Sequence, residues 1–220
     1  MTERGLFIVL EGIDNCGKTS QAKLLQLALM ARGMVVIQTR EPGGTLVGEE
    51  IREILLRPDR LKPINPLAQT LLFYAARAQF LEDAIKPKLD IGVHVITDRF
   101  NTSTHAYQGY AQGVSIEVLE FLDREVIEKT GIRPDLCAIF DISVEESRWR
   151  LNNADNENQV WAYEQMGPEF AEKVRQGYLD YAKRQESVVL LDGTQEKQAI
   201  HTRLLGMVNN ILAKRKGFLY

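Results

Sequence analysis

The sequence predicts an α/β protein built on a mostly parallel sheet, and three observations carry that prediction. Five short apolar runs rich in Val and Ile punctuate the chain: "LFIVLE" from Leu6, "MVVIQT" from Met34, "VHVITD" from Val93, "LCAIFDI" from Leu136 and "SVVLLD" from Ser187. They do not alternate cleanly between apolar and polar, as expected of strands buried on both faces. Stretches of helical period separate them, so successive strands connect by crossovers and lie parallel under helices on both sides. Between the first strand and the first helix stands "GIDNCGKT", residues 12–19, which matches the pattern GxxxxGK[ST] in the strand, loop and helix context that motif requires.

The elements follow in order. The first helix runs from Lys18 to Arg32 and closes at Gly33, a left-handed C-terminal cap. Thr45 caps a second helix with Val47, Ile51, Ile54 and Leu55 on one face. Asn65 and Pro66 read as cap and first-turn residue of a long helix through "LAQTLLFYAARAQFLEDAI". The stretch "NNADNENQVWAYEQMG" from Asn152 is polar and weakly periodic, which predicts a lid at about 150–167 between two helices. Pro168 opens the next helix, with Phe170, Val174, Tyr178 and Tyr181 along one stripe. The last helix starts near Gln195 and turns Ile200, Leu204, Val208 and Ile211 inward.

At 220 residues, with no low-complexity linker or repeat, one domain over 1–220 is the expectation. Lys and Arg total 27 against 30 Asp and Glu, a formal charge of -3, which argues against a nucleic-acid partner and for a small one. Cys16 and Cys137 lie far apart without metal-site spacing and fit a reducing compartment. The run "LFIVL" is too short for a signal-peptide core or a membrane span, so the expectation is a soluble cytoplasmic enzyme with no membrane partner. His94, His105 and His201 show no metal-ligand spacing and read as structural.

The loop predicts a nucleotide phosphate donor with Mg²⁺. Its glycines let backbone N–H groups turn toward phosphates, and the following helix adds partial positive charge. Gly12, Ile13, Asp14, Asn15, Cys16, Gly17, Lys18, Thr19 and Ser20 form the donor-binding set. Lys18 neutralises the β and γ phosphates, and the Thr19 hydroxyl ligates Mg²⁺. Cys16 reads as a small loop filler rather than a reactive thiol.

The acceptor is harder to read. No NKxD-type guanine-reading motif is present, which argues against a switch GTPase, and a motor usually needs more chain and more basic surface. Arg40 in "TREPGGT" follows the second strand, and Asp98 and Arg99 in "DRF" follow the third, at the carboxyl ends of strands where open parallel sheets bind ligands. Two guanidinium groups converging there suit an acceptor phosphate. Asp98 is placed to hold the metal through water.

Together these residues resemble the thymidylate kinase family. The segments "EGIDNCGKTSQ", "TREPGGT", "GEEIR", "LLFYAARAQ", "DRFNTSTHAYQGYAQG", "RPDL" and "GYLDYA" stand in that family's order over nearly the full length. The resemblance implies a three-layer α/β/α phosphate-loop kinase fold, a five-stranded parallel sheet of order 2-3-1-4-5, and transfer of the γ-phosphoryl of ATP to dTMP. It also implies a homodimer joined by helices next to the acceptor site. Phe73 would stack on the pyrimidine. Arg77, one helical turn later, would hydrogen-bond a base carbonyl. Gln108 would read the base edge, and Tyr107 would crowd the position of a ribose 2′-hydroxyl. Arg40 and Arg99, with Arg52 as a weaker candidate, would bind the acceptor phosphate, and Asp14 would meet the sugar 3′-hydroxyl. Glu41-Pro42 is expected to be cis.

The sequence departs from that family in one respect. Family members add an arginine from the phosphate loop or the lid, where charge accumulates during transfer. Here the loop has Asn15, and Leu151 to Glu172 contains five acids and no Lys or Arg. Arg148, at the start of the lid, is expected to supply that charge, with Arg150 as the alternative. Two other readings stay open at this point: a related deoxynucleotide kinase with altered base preference, such as dUMP, and a nucleotide-binding homologue with reduced turnover.

Overall fold

The computed structural model describes residues 3–57, 63–153, 166–185, 187–215 and 217. Five strands, β1 (Phe7–Glu11), β2 (Val36–Arg40), β3 (His94–Asp98), β4 (Leu136–Asp141) and β5 (Val188–Asp192), form one sheet of order β2-β3-β1-β4-β5. All four pairings are parallel. The fold class and strand order agree with the sequence reading. β1 lies at the centre, and all five of its residues are buried. Leu6, Ile8 and Leu10 join one core with Leu25, Leu204 and Tyr178, while Phe7 and Val9 join the other with Phe80 and Phe100. Each such side chain contributes about 1.5–3 kcal/mol on full burial, which explains why these runs lack polar alternation.

The helices are α1 (Lys18–Met30), α2 (Leu46–Leu56), α3 (Pro66–Gln79), α4 (Lys86–Asp90), α5 (Asn101–Thr104), α6 (Ile116–Val126), α7 (Val144–Asn152), α8 (Pro168–Arg184) and α9 (Lys197–Arg215). The predicted caps form: Thr45 Oγ1 accepts the Gly48 N–H at 3.0 Å, and Asn65 Oδ1 accepts the Leu67 N–H at 2.9 Å. α1 has no side-chain cap, so its first N–H groups stay available to an anion.

Two local features differ from the sequence reading. The long third helix is broken by a π-helical turn, Phe80–Ile85, before α4. Pro87 follows directly; it lacks an N–H, and its ring would strike the Asp83 carbonyl in a regular α-helix, so the wider turn relieves the conflict. On α2, Ile51 and Leu55 are buried against Phe73 and Ala76 of α3, but Val47 and Ile54 stay 44% exposed. α2 sits at the margin of the fold, and one neighbouring helix covers only a narrow stripe. The predicted lid falls mainly on 154–165, outside the described residues.

The sheet register positions the site. Arg40 pairs with Asp98, and Asp98 with Leu10, so the ends of β2, β3 and β1 lie abreast where the chain enters the phosphate loop.

Candidate active site

The phosphate loop needs glycine for a steric reason at its first residue. Gly12 has φ +133, and a Cβ there would lie 2.5 Å from the Phe140 carbonyl oxygen. Asn15 also has a positive φ of 59, and Gly17 one of 100. The curled loop turns its carbonyls toward Lys18, whose buried Nζ donates to Ile13 O at 2.9 Å and Gly12 O at 3.1 Å. Burial pushes the Cys16 thiol up, which makes it unreactive and supports its reading as loop filler. The Thr19 hydroxyl donates to Asp98 Oδ2 at 3.2 Å. Asp98 Oδ1 is buried with no hydrogen-bond partner among the described residues. Ser20 lies exposed in the first turn of α1.

Arg99 follows β3 in a left-handed conformation, φ +71, a strain of about 1–3 kcal/mol for a residue with a side chain. Its surroundings hold it there. Nη1 donates to Tyr178 Oη at 2.8 Å, Gly12 O at 3.0 Å and Ser103 Oγ at 3.2 Å, and Nη2 pairs with Asp14. Behind it Glu11, fully buried, accepts the Phe100 N–H at 2.7 Å and hydroxyl protons from Ser103 at 2.6 Å and Tyr178 at 3.1 Å. Burial raises the Glu11 carboxyl, against the pull of Ser103 and Arg99. Burial would raise Asp14 as well, but Arg99 and Lys18 outweigh it and hold that carboxyl below its usual range.

Arg40 is 57% exposed and tied to Glu49 at 3.0 Å, while Glu49 also accepts the Gly44 N–H at 3.0 Å. The Glu41-Pro42 peptide is cis, as expected, and Arg52 Nη1 donates to Pro42 O at 3.0 Å. On α3, Phe73 is buried at its rim and Arg77 is 1% exposed. Arg77 Nη2 lies 2.5 Å from Glu41 Oε1 and donates to Thr104 Oγ1 at 3.1 Å. Burial pushes the Glu41 carboxyl up to about 7 despite that partner. Gln108 Nε2 donates to Gln69 Oε1 at 3.3 Å, and Tyr107 Oη stands 3.5 Å from Asp14.

These residues meet in one place. Asp14, Lys18, Thr19, Arg40, Arg52, Phe73, Arg77, Asp98, Arg99, Tyr107 and Gln108 all line a single cavity of about 470 Å³, a volume suited to a nucleotide-sized ligand. A second cavity of about 240 Å³ shares Asp14, Asn15 and Tyr107 with it and brings in Arg148 from α7. Arg150 is turned to the other side of the loop, donating to Gly193 O at 2.8 Å and to Asn15 O at 3.4 Å. The sequence reading missed Glu11, Glu41, Glu49 and Ser103, and took Tyr178 only as core. The one available signal was Glu11 itself, a carboxylate ending an otherwise apolar strand.

The chain is 42% identical over 214 residues to the thymidylate kinase of Caldanaerobacter subterraneus subsp. tengcongensis, covering 97% of this chain and 99% of that protein. It is 38% identical over 214 residues to the thymidylate kinase of Pseudomonas putida (strain GB-1), covering 97% of this chain and 99% of that one. The crystal structure of thymidylate kinase from Ehrlichia chaffeensis superimposes with a TM-score of 0.73 at 30% identity, covering 93% of this chain and 99% of the other. The fold and site thus define a kinase of the phosphate-loop class. The family model for thymidylate kinase matches residues 10–204, and with these identities the chain belongs to that family.

Proposed function

We propose that the protein transfers the γ-phosphoryl group of ATP to dTMP, yielding dTDP on the route to dTTP. One observation carries this reading: a single cavity joins the loop lysine and three arginines to an aromatic wall and two base-edge groups, Arg77 and Gln108. The acceptor phosphate oxygen is already ionised, so no protein base is needed, and catalysis rests on positioning and charge neutralisation. Lys18 exchanges the Gly12 and Ile13 carbonyls for donor phosphates. Arg40, Arg52 and Arg99 hold the acceptor phosphate; Phe73 stacks on thymine. Asp14, kept ionised by Arg99 and Lys18, accepts the 3′-hydroxyl, and Tyr107 beside it leaves no room for a 2′-hydroxyl. Arg148 supplies the charge that neither Asn15 nor the lid provides.

The unpartnered Asp98 Oδ1 beside the Thr19 hydroxyl fits a hydrated Mg²⁺. Thr19 and Asp98 would hold such an ion, with phosphate oxygens of the substrates as further ligands. When bound, the ion neutralises charge on the β and γ phosphates.

We further propose that residues 1–220 act as one unit and that two copies pair through α2 and α3. The outward faces of these helices leave Val47, Ile54, Leu67 and Leu71 about half exposed; light scattering at micromolar concentration tests this. No helix among the described residues is long and apolar enough to cross a membrane. Both substrates belong to cytoplasmic pools, and we place the protein there. A coupled assay with ATP, Mg²⁺ and a panel of deoxynucleoside monophosphates tests the function: dTMP should give the highest kcat/KM. ATP binding without ADP release, or a higher kcat/KM for another acceptor, overturns it.

A further inference from the structure

Among the described residues Arg77 is the largest side chain with almost no exposure, and its charge is handled in an unusual way. Its guanidinium lies over the Tyr74 ring at 4.6 Å and faces the Phe100 ring at 5.3 Å, so the two rings restrain its plane. Nη2 is committed to Glu41 and Thr104. Nε and Nη1 are buried and have no hydrogen-bond partner among the described residues. Buried donors are seldom left so in a finished fold, and both belong to a residue lining the 470 Å³ cavity. Asp123, the other carboxylate near Arg77, is already engaged by Tyr74 Oη at 2.7 Å, His105 Nε2 at 2.7 Å and Asn101 Nδ2 at 3.1 Å. Among the described residues Glu41 is thus the carboxylate left to fix the guanidinium, beside the Thr104 hydroxyl, and its own backbone is pinned by the Glu41 N–H donating to Asp98 O at 3.0 Å.

We propose that Glu41 is a specificity-determining positioning residue: its carboxylate anchors Arg77 so that Nε and Nη1 are presented to a carbonyl of the acceptor base. A guanidinium carries only donors. Held rigidly, it accepts a 4-oxo pyrimidine and rejects a 4-amino one, whose N–H groups would face it. Without the anchor, Arg77 tilts between its two rings and discrimination weakens. Glu41 directly follows Arg40 in the same turn, so one loop contributes to reading both the phosphate and the base. This inference rests on the proposed dTMP kinase reaction.

The test is Glu41→Gln, which keeps the shape and removes the charge, assayed with dTMP and 5-methyl-dCMP, two acceptors that share the 5-methyl group and sugar and differ in the 4-substituent and the accompanying N3 proton. The expected result is a rise of about 10-fold or more in KM for dTMP, with kcat and KM for ATP little changed. The ratio of kcat/KM for dTMP over 5-methyl-dCMP should fall by a similar factor. A purely structural role lowers activity with both acceptors alike and leaves the ratio fixed, which would overturn the proposal. Glu41→Asp keeps the charge on a shorter arm and serves if the glutamine variant does not fold; its ratio should also fall, and an unchanged ratio counts against the proposal equally. The wild-type enzyme separates the two ideas. If it does not prefer dTMP, the function itself is refuted and this inference with it; if it does and the variants keep the ratio, only the role of Glu41 is lost.

Discussion

Removing a single oxygen atom probes the support behind Arg99. The Tyr178 hydroxyl is buried and makes three contacts at once: it accepts from Arg99 Nη1 at 2.8 Å, lies 2.7 Å from Ser103 Oγ and donates to Glu11 Oε2 at 3.1 Å. Tyr178→Phe preserves the ring and its packing. Glu11 Oε2 then keeps only Ser103, and Arg99 Nη1 keeps Gly12 and Ser103. A hydrogen bond to a charged group contributes about 1.5–3 kcal/mol, and the remaining partners take up part of the loss, so about 2 kcal/mol of stability should disappear. For a chain of this size that lowers Tm by roughly 4–8 °C. Function should suffer selectively. With its rear support gone, Arg99 leans toward Asp14, so KM for dTMP should rise about 10-fold while KM for ATP stays within about twofold. Calorimetry and steady-state kinetics with each substrate varied in turn measure all three quantities. A fall in Tm with KM for dTMP unmoved, or both KM values rising together, would refute the idea that this network serves the acceptor arginine.

Three other predictions follow from the site. Lys18→Ala should lower kcat by about 100- to 1000-fold with the fold intact, because a donor aimed at the transferring group is lost; rapid-quench turnover measures it, and a loss under tenfold contradicts the assignment. Arg148→Ala should reduce kcat by about 100-fold or more, whereas Arg150→Ala, which breaks contacts to Gly193 and Asn15, should act mainly on KM for ATP; unchanged turnover in the first variant removes Arg148 from the charge balance. Glu41 gives a pH signature: burial raises its folded value to about 7 from 4.5, so the folded state gains relative stability only where the group is protonated. That contribution is complete below about pH 4.5 and is lost as pH rises through 7, by about 3 kcal/mol at most. Urea midpoints of wild type should therefore fall relative to Glu41→Gln between pH 4.5 and 8, and parallel curves would show that Glu41 does not titrate this way.

The strands and the phosphate loop were legible because their causes are local. A strand buried on both faces must be apolar throughout, and a loop that presents its N–H groups must carry glycine at fixed offsets. The residues proposed for the acceptor side entered only through resemblance, since nothing near Phe73 or Gln108 in sequence says that they share a cavity. Of the supporting charges only Glu11 left a trace, as a carboxylate ending an apolar strand, and its partners could not be read. Glu11 and Tyr178 stand 167 positions apart, and their contact exists only once α8 packs against the sheet. Periodicity also overstated the buried face of α2, because apolar spacing tells which side is sticky and not what covers it. The same gap applies to the π-helical turn before α4, where Pro87 was visible but the fold's way of accommodating it was not.

The departures from ordinary folding rules have a common location. Among the described residues, Asn15 and Arg99 are the non-glycine residues with positive φ, and both line the same cavity. Lys18, Glu41 and Arg77, three of the buried charged side chains, line it too. Each of these features lowers stability where it stands: left-handed backbone by its sterics, buried charge by lost hydration. A sequence under no constraint but folding would replace them, for instance with Gly at position 99 or an apolar pair at 41 and 77. Their concentration around one cavity means that the compensating term lies outside the ligand-free chain, which agrees with the proposed meeting of Lys18, Arg99 and Arg77 with anionic groups and a base carbonyl.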